Sequence, residues 1–193
     1  KELRALEIEA LQLLYPDQFE MTALDADRLS VRQFHGIELN EFAVEIARAA
    51  MWMTDHIMNN DLSAKFGVPY ARIPLTESPH IKKADALEID WSAFVPPTAQ
   101  TYVIGNPPFI GSKYQTPGQR QQIAKLLGKA KPTEMDYVAG WFIKGADYIS
   151  DGLQVLMGSN VIVAPRLALV ATNSIVQGQQ VGMLWRPLFK KKM

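Results

Sequence analysis

Apolar residues recur at helical spacing at the start of the chain. Leu3, Leu6, Ala10 and Leu13 fall on one stripe, which predicts a helix over Lys1–Leu14 ended by Tyr15-Pro16-Asp17. Val31–Leu39 reads as a strand, and Asn40 is a good N-cap for a helix from Glu41 to Met58 with Ile46, Ala50, Met53 and Ile57 among its apolar positions. The stretch from Asn59 to Pro79 reads as loop, punctuated by Gly67, Pro69, Pro74 and Pro79. Short strands are expected at Ile81–Ala84 and Tyr102–Gly105. Thr116-Pro117 opens a short helix. Thr133 and Asp136 resemble a capping box for a longer helix over Glu134–Ile149 that buries Val138, Phe142, Ala146 and Ile149. Gly152–Pro165 is apolar but broken by Gly158-Ser159-Asn160, which suggests an extra hairpin. Leu167–Ala171 is a last short strand, followed by Thr172-Asn173-Ser174.

Strands alternating with helices predict an α/β fold, a parallel sheet with helices on both faces. Ligands of such sheets bind beyond the carboxyl ends of the strands. Residues able to do chemistry are therefore sought at those ends.

Composition narrows the class. The chain has 193 residues, 48% of them apolar, enough for one domain with a sizeable core. No run approaches the roughly 20 apolar residues of a membrane span, no signal peptide is visible, and a cytoplasmic location with no membrane partner is expected. There is no Cys, and the three His (His35, His56, His80) are scattered without metal-ligand spacing, so no metal is expected. Net charge is zero, but five cations (Lys113, Arg120, Lys125, Lys129, Lys131) fall between Ile110 and Thr133 with no Asp or Glu among them. This stretch reads either as phosphate contacts beside a site, with Lys113, Arg120 and Lys125 foremost, or as a solvated helix face.

Three strand ends carry polar chemistry. Glu38 ends the first strand: its carboxylate could accept from both hydroxyls of a ribose, or complement the dipole of the next helix. Asp85 follows the second, able to accept from an adenine amino group or to serve as a turn residue. Asn106-Pro107-Pro108-Phe109 follows the third. As structure alone it is a strand-ending turn. As chemistry, the Asn oxygen and a backbone carbonyl each accept one hydrogen of a planar amino group, which drives its nitrogen toward tetrahedral geometry and aims the lone pair. The prolines free a carbonyl and stiffen the turn, and Phe109 offers a flat face whose stacking on a base is worth about 1–3 kcal/mol.

The order acid, Asp, Asn-Pro-Pro-Phe resembles the class I methyltransferases that use S-adenosylmethionine, and within them the amino-group DNA methyltransferases of the adenine-N6 type. The likeness is greatest to the methyltransferase module of single-chain restriction–modification enzymes. It is carried by three blocks, Asn106-Pro-Pro-Phe-Ile-Gly-Ser-Lys-Tyr-Gln, Glu134-Met-Asp-Tyr-Val-Ala-Gly-Trp-Phe and Ala171-Thr-Asn-Ser-Ile-Val-Gln-Gly-Gln-Gln-Val, and spans residues 31–189. The resemblance implies a Rossmann-like sheet. Glu38 and Leu39 would meet the ribose and adenine ring of S-adenosylmethionine, and Asp85 and Ala86 would recognise that ring. Asn106 and Pro107 would hold the target amino group, with Asn106 also beside the cofactor; Pro108 would shape the turn and Phe109 stack on the target. The partner implied is double-stranded DNA with its target base flipped out. Thr172-Asn173-Ser174 would line the target pocket.

The pattern also departs from that family. Its glycine-rich first motif and preceding strand are not found, so the chain is expected to be a truncated catalytic domain lacking the first central strand, with 31–109 as the cofactor and catalytic half and 110–193 as the target-side half. No target-recognition or nuclease domain is visible. Missing parts of the same polypeptide (first motif, target-recognition domain, optionally a nuclease) are expected partners. Competing readings are transfer to a protein glutamine or to an RNA or cytosine amino group, and a non-catalytic truncated domain.

Overall fold

A computed structural model describes residues 1–14, 29–66, 78–129, 134–157 and 165–190. The chain divides into two compact units, Lys1–Asp85 and Ala86–Met193. Among the described residues each holds a two-stranded parallel sheet.

The first unit contains helix α1 (Glu2–Leu14), a 3-10 turn (Val31–Gln33), strand β1 (His35–Glu38), helix α2 (Glu41–Phe66) and strand β2 (His80–Lys83). β1 and β2 run parallel, His35 opposite His80 and Glu38 opposite Lys83, with α2 as the crossover that parallel pairing requires. The expected strand from Val31 starts late for a local reason. Ser30 N–H donates to Gln33 Oε1 at 2.9 Å and Arg32 N–H donates to Ser30 Oγ at 3.3 Å. This reciprocal cap winds Val31–Gln33 into a turn before the chain extends. α2 is longer than expected and takes Asn59–Phe66 out of the anticipated loop.

The expected stripe of α1 faces outward: Leu3, Leu6 and Leu13 are 55%, 61% and 77% exposed, whereas Arg4 and Ile8 are buried. On α2, Ile46, Met53 and Ile57 are exposed, and Val44, Asp55, Met58, Asn59 and Leu62 are buried. A polar network explains this exchange. Arg4 Nη2 donates to Asn59 Oδ1 at 2.8 Å, Asn59 Nδ2 to Asp55 Oδ2 at 3.0 Å, and Arg4 Nη1 to Glu7 Oε2 at 2.6 Å and to the Leu29 carbonyl at 3.1 Å. Paired in this way, most of the buried polar groups are satisfied, with the Arg4 Nε a donor left without a partner among the described residues. Ile8, Met58 and Leu62 pack beside them.

The second unit contains α3 (Trp91–Phe94), β3 (Tyr102–Gly105), a 3-10 turn (Ser112–Tyr114), α4 (Pro117–Leu126), α5 (Ala139–Met157), β4 (Arg166–Leu169), a 3-10 turn (Asn173–Val176) and α6 (Gly178–Lys190). β3 pairs parallel with β4, Tyr102 opposite Arg166 and Gly105 opposite Leu169. β3 matches its expectation, and β4 lies near its own. α4 begins with Thr116 as N-cap in a full capping box with Gln119 and Pro117 in the first turn; it ends at Gly128, whose φ of 64° is the left-handed cap that glycine favours. α5 corrects two expectations. It starts at Ala139 rather than Glu134, and Gly152–Met157 continue it instead of opening a hairpin. It packs on β4 through Gly145, where a Cβ would stand 2.6 Å from Leu167 Cδ2. The core includes Ile123, Met135, Val138, Ile143, Ile175 and Leu184. The features at Tyr15–Asp17, Gly67, Pro69, Pro74, Lys131, Thr133 and Gly158–Asn160 lie outside the described residues.

Candidate active site at the strand ends

In the first unit Glu38 closes β1, and the Ala84 N–H donates to its carbonyl at 2.9 Å, one residue before Asp85. Glu38 and Asp85 thus stand past the carboxyl ends of two paired parallel strands. Glu38 Oε1 accepts from the Asn40 N–H at 2.8 Å, and Asn40 Oδ1 in turn accepts from Phe42 N–H at 2.9 Å and Ala43 N–H at 3.3 Å, capping α2. Glu38 thus braces the residue that caps α2 through one oxygen; Oε2 makes no hydrogen bond to the described residues. Leu39 is exposed beside it.

In the second unit Ala86 opens a short connection held from two sides. Trp91 Nε1 donates to the Ala86 carbonyl at 2.8 Å. Lys144 Nζ, on α5, donates to the Leu87 carbonyl at 3.3 Å and, by a very short contact, to that of Ile89. Leu87 is buried in the core, against Gly140.

Asn106 follows β3 directly. The Val170 N–H donates to the Gly105 carbonyl at 3.0 Å, so the chain leaving β4 toward Thr172–Ser174 runs beside the chain leaving β3. Asn106 is exposed and its side chain makes no hydrogen bond to the described residues; Pro107 is buried and anchors the turn, Pro108 is exposed, and Phe109 is 47% exposed. Of the four residues only Pro107 is packed into the interior.

Sequence reasoning missed what holds this turn. Met135, Asp136 and Tyr137 form a strap just ahead of α5 in which each residue bonds the segment after Phe109. Gln115 Nε2 donates to the Met135 carbonyl at 2.8 Å, the Ser112 N–H to Asp136 Oδ1 at 3.2 Å, and the Tyr137 N–H to the Ile110 carbonyl at 2.9 Å. Asp136 also reaches the other strand end: its Oδ2 accepts a very short hydrogen bond from Ser174 Oγ, which lies 2.7 Å from Thr172 Oγ1. Asp136 N–H donates to Gln180 Oε1 at 3.1 Å. These three segments are the blocks singled out in the sequence, and their shared similarity was the only signal that they meet.

The three named cations lie in this unit. Lys113 is exposed; Arg120 Nη2 donates to the Lys113 carbonyl at 3.4 Å; and Lys125 pairs with Glu88 at 3.2 Å on the surface, an arrangement of little stabilising value in which an acid from outside the basic stretch meets one of its cations. Among the described residues, no three His, Asp or Glu side chains converge as metal ligands, and no helix is long and apolar enough to cross a membrane.

Known proteins resemble this chain over nearly all of it. The family described as MmeI, DNA-methyltransferase domain, matches residues 1–193. A protein of Bacillus subtilis (strain 168), DNA methyltransferase A, is 34% identical over 194 residues, covering 98% of this chain and 21% of that protein. The type IIL restriction–modification enzyme MmeI, solved in complex with DNA, superposes with a TM-score of 0.81 at 41% identity, over 98% of this chain and 24% of that one. The chain thus spans about a quarter or less of the length of these relatives.

Proposed function

The chain belongs to the MmeI DNA-methyltransferase domain family, and from that premise we propose that it carries the catalytic residues for transfer of a methyl group from S-adenosylmethionine to the N6 amino group of adenine in DNA. The family's coarse class is a restriction–modification DNA methyltransferase; cofactor, target atom and residue roles are the present reading. The fold class that goes with it is a Rossmann-like methyltransferase sheet.

The donor set suits the cofactor. Glu38 Oε2 would accept from a ribose hydroxyl and Asp85 from the adenine amino group, and Leu39 and Ala86 would offer apolar surface to the ring. When bound, S-adenosylmethionine supplies an electrophilic methyl group. The chain supplies positioning. Asn106 Oδ1 and the Pro107 carbonyl each accept one N6 hydrogen, which localises the nitrogen lone pair and points it along one line. No strong base is required. Phe109 stacks on the target base, which must leave the duplex for its N6 to be reached. Lys113, Arg120 and Lys125 neutralise phosphates nearby.

The observation that carries this reading is the exposed Asn106 at the carboxyl end of β3, ahead of the half-exposed Phe109, in a chain of this family. The test is methyl transfer from labelled cofactor to mixed-sequence DNA by the full-length protein, with product nucleosides identified and Asn106→Ala alongside. N6-methyladenine that disappears in the variant, while cofactor still binds, is the expected result. Label in N4-methylcytosine, RNA or protein would replace the target, and no transfer at all would overturn the reading.

A further inference from the structure

We propose that Asp136 is a positioning residue for the target base, an inference that rests on the reaction proposed above. The residue is only 8% exposed, and its carboxyl group carries one tie to each of two elements. Oδ1 accepts from the backbone of Ser112, three residues past Phe109, at 3.2 Å. Oδ2 accepts from Ser174 Oγ, in the turn after β4. Those two elements leave adjacent parallel strands at paired positions, Gly105 opposite Leu169. One buried side chain therefore sets the distance between the segment that presents Asn106 and Phe109 and the segment that faces it.

The chemistry of the site favours a tether over simple core filling. A buried carboxyl without partners is strongly unfavourable, and that of Asp136 has a donor on each oxygen. The Met135 carbonyl and the Asp136 and Tyr137 N–H groups go to Gln115, Gln180 and Ile110, and the helical turn begins only with the Asp136 carbonyl, which accepts from the Ala139 N–H. The strap is fixed on its main chain, so its side chain has one place to point. Ser174 relays the tie to Thr172 through a 2.7 Å hydroxyl contact, so the whole Thr172–Ser174 turn is oriented by Asp136. Asp136 itself touches no substrate in this scheme and acts through the two elements it joins.

The experiment is steady-state methyl transfer by the full-length protein with Asp136→Ala, Asp136→Asn and Ser174→Ala, each with cofactor KM and thermal melting measured. Displacing a positioned group by an ångström lowers rate by about 10²-fold, and that fall in kcat is expected for Asp136→Ala, with cofactor KM unchanged. Ser174→Ala removes one tie on a partly exposed side chain and should lower kcat by about tenfold. Asp136→Asn keeps an oxygen for the Ser112 N–H and can donate from Nδ2 to Ser174 Oγ, which turns its own proton toward Thr172; it should recover most of the rate. Wild-type transfer with all three variants at the wild-type rate would overturn the inference and leave the reaction standing. A parallel loss of kcat, cofactor binding and melting temperature in all three, Ser174→Ala included, would also overturn it, since that marks a structural group alone. No transfer by the wild type would remove the reaction and this inference together.

Discussion

Gln115 donates its side-chain amide to the carbonyl of Met135 at 2.8 Å, twenty residues away in sequence, and to that of Ile110 at 3.2 Å. The residue is buried, and its two targets bracket the segment after the Asn106–Phe109 turn and the strap that braces it. Ile110 retains a second donor in Tyr137 N–H. The Met135 carbonyl has no other donor among the described bonds. Gln115→Ala should therefore destabilise the folded state by about 1–3 kcal/mol, the usual penalty for an orphaned buried group. Chemical denaturation measures it. A midpoint equal to wild type would mean that water replaces the amide without loss.

Gly140 lies where α5 meets the connection after Asp85. A Cβ there would stand 2.9 Å from Leu87 Cδ2 and 3.0 Å from Ile123 Cδ1, and both partners are buried. Gly140→Ala should lower stability by about 1–3 kcal/mol through overpacking. The added penalty should shrink when Leu87→Val removes the clashing carbons, because residues in contact do not add independently. Equal penalties in both backgrounds would show that the clash is relieved elsewhere.

Lys144 Nζ closes the same connection from α5 through the carbonyls of Leu87 and Ile89. Lys144→Met keeps most of the apolar stem and removes the charged donor, so it should lose about 1.5–3 kcal/mol, the range for hydrogen bonds to a charged group. Faster amide exchange should be confined to Ala86–Ile89 at first. If Ala86 contributes to the adenine pocket, cofactor affinity of the full-length protein falls as well. Uniformly faster exchange across α5, with Ala86–Ile89 no worse than the rest, would contradict the local role.

Glu41 and Lys83 join the first turn of α2 to the end of β2 at 2.6 Å. The hydrogen bond from Lys83, and then its charge, hold the Glu41 carboxyl below the usual carboxylate range. A lowered folded value means that the pair's contribution is present above the unfolded value and is lost as pH falls through the folded one. Both side chains are open to solvent, so the effect on stability is small. NMR titration of the Glu41 carboxyl is the sharper measurement. Lys83→Ala should return it upward toward the ordinary range; an unchanged titration would remove Lys83 as the cause.

Much of the fold was legible because its signals are local. Thr116-Pro117 with Gln119 opened α4, the Asn40 cap opened α2, and Tyr102–Gly105 ran apolar to a proline turn. The Ser30–Gln33 cap was equally readable and accounts for the late start of β1. Burial was the part that periodicity misjudged. In α1 the inner positions are Arg4 and Ile8, and a count of apolar residues places an arginine outside. Only the arrival of Asn59 from α2 makes Arg4 an interior residue. The start of α5 failed for a related reason. Glu134–Val138 has helical composition, but the Met135 carbonyl and the Asp136 and Tyr137 N–H groups are taken by Gln115, Gln180 and Ile110, which lie far away in sequence.

By itself the sequence determined that strands alternate with helices and that Glu38, Asp85 and Asn106 fall at strand ends, because caps, prolines and short apolar runs act over a few residues. It also marked three similar blocks without saying how they meet. Tertiary structure decided which polar groups could be buried, and that Asp136 ties the segment after Phe109 to the turn at Ser174. A buried carboxyl is tolerable only when donors from distant segments converge on it, and no local pattern records that convergence.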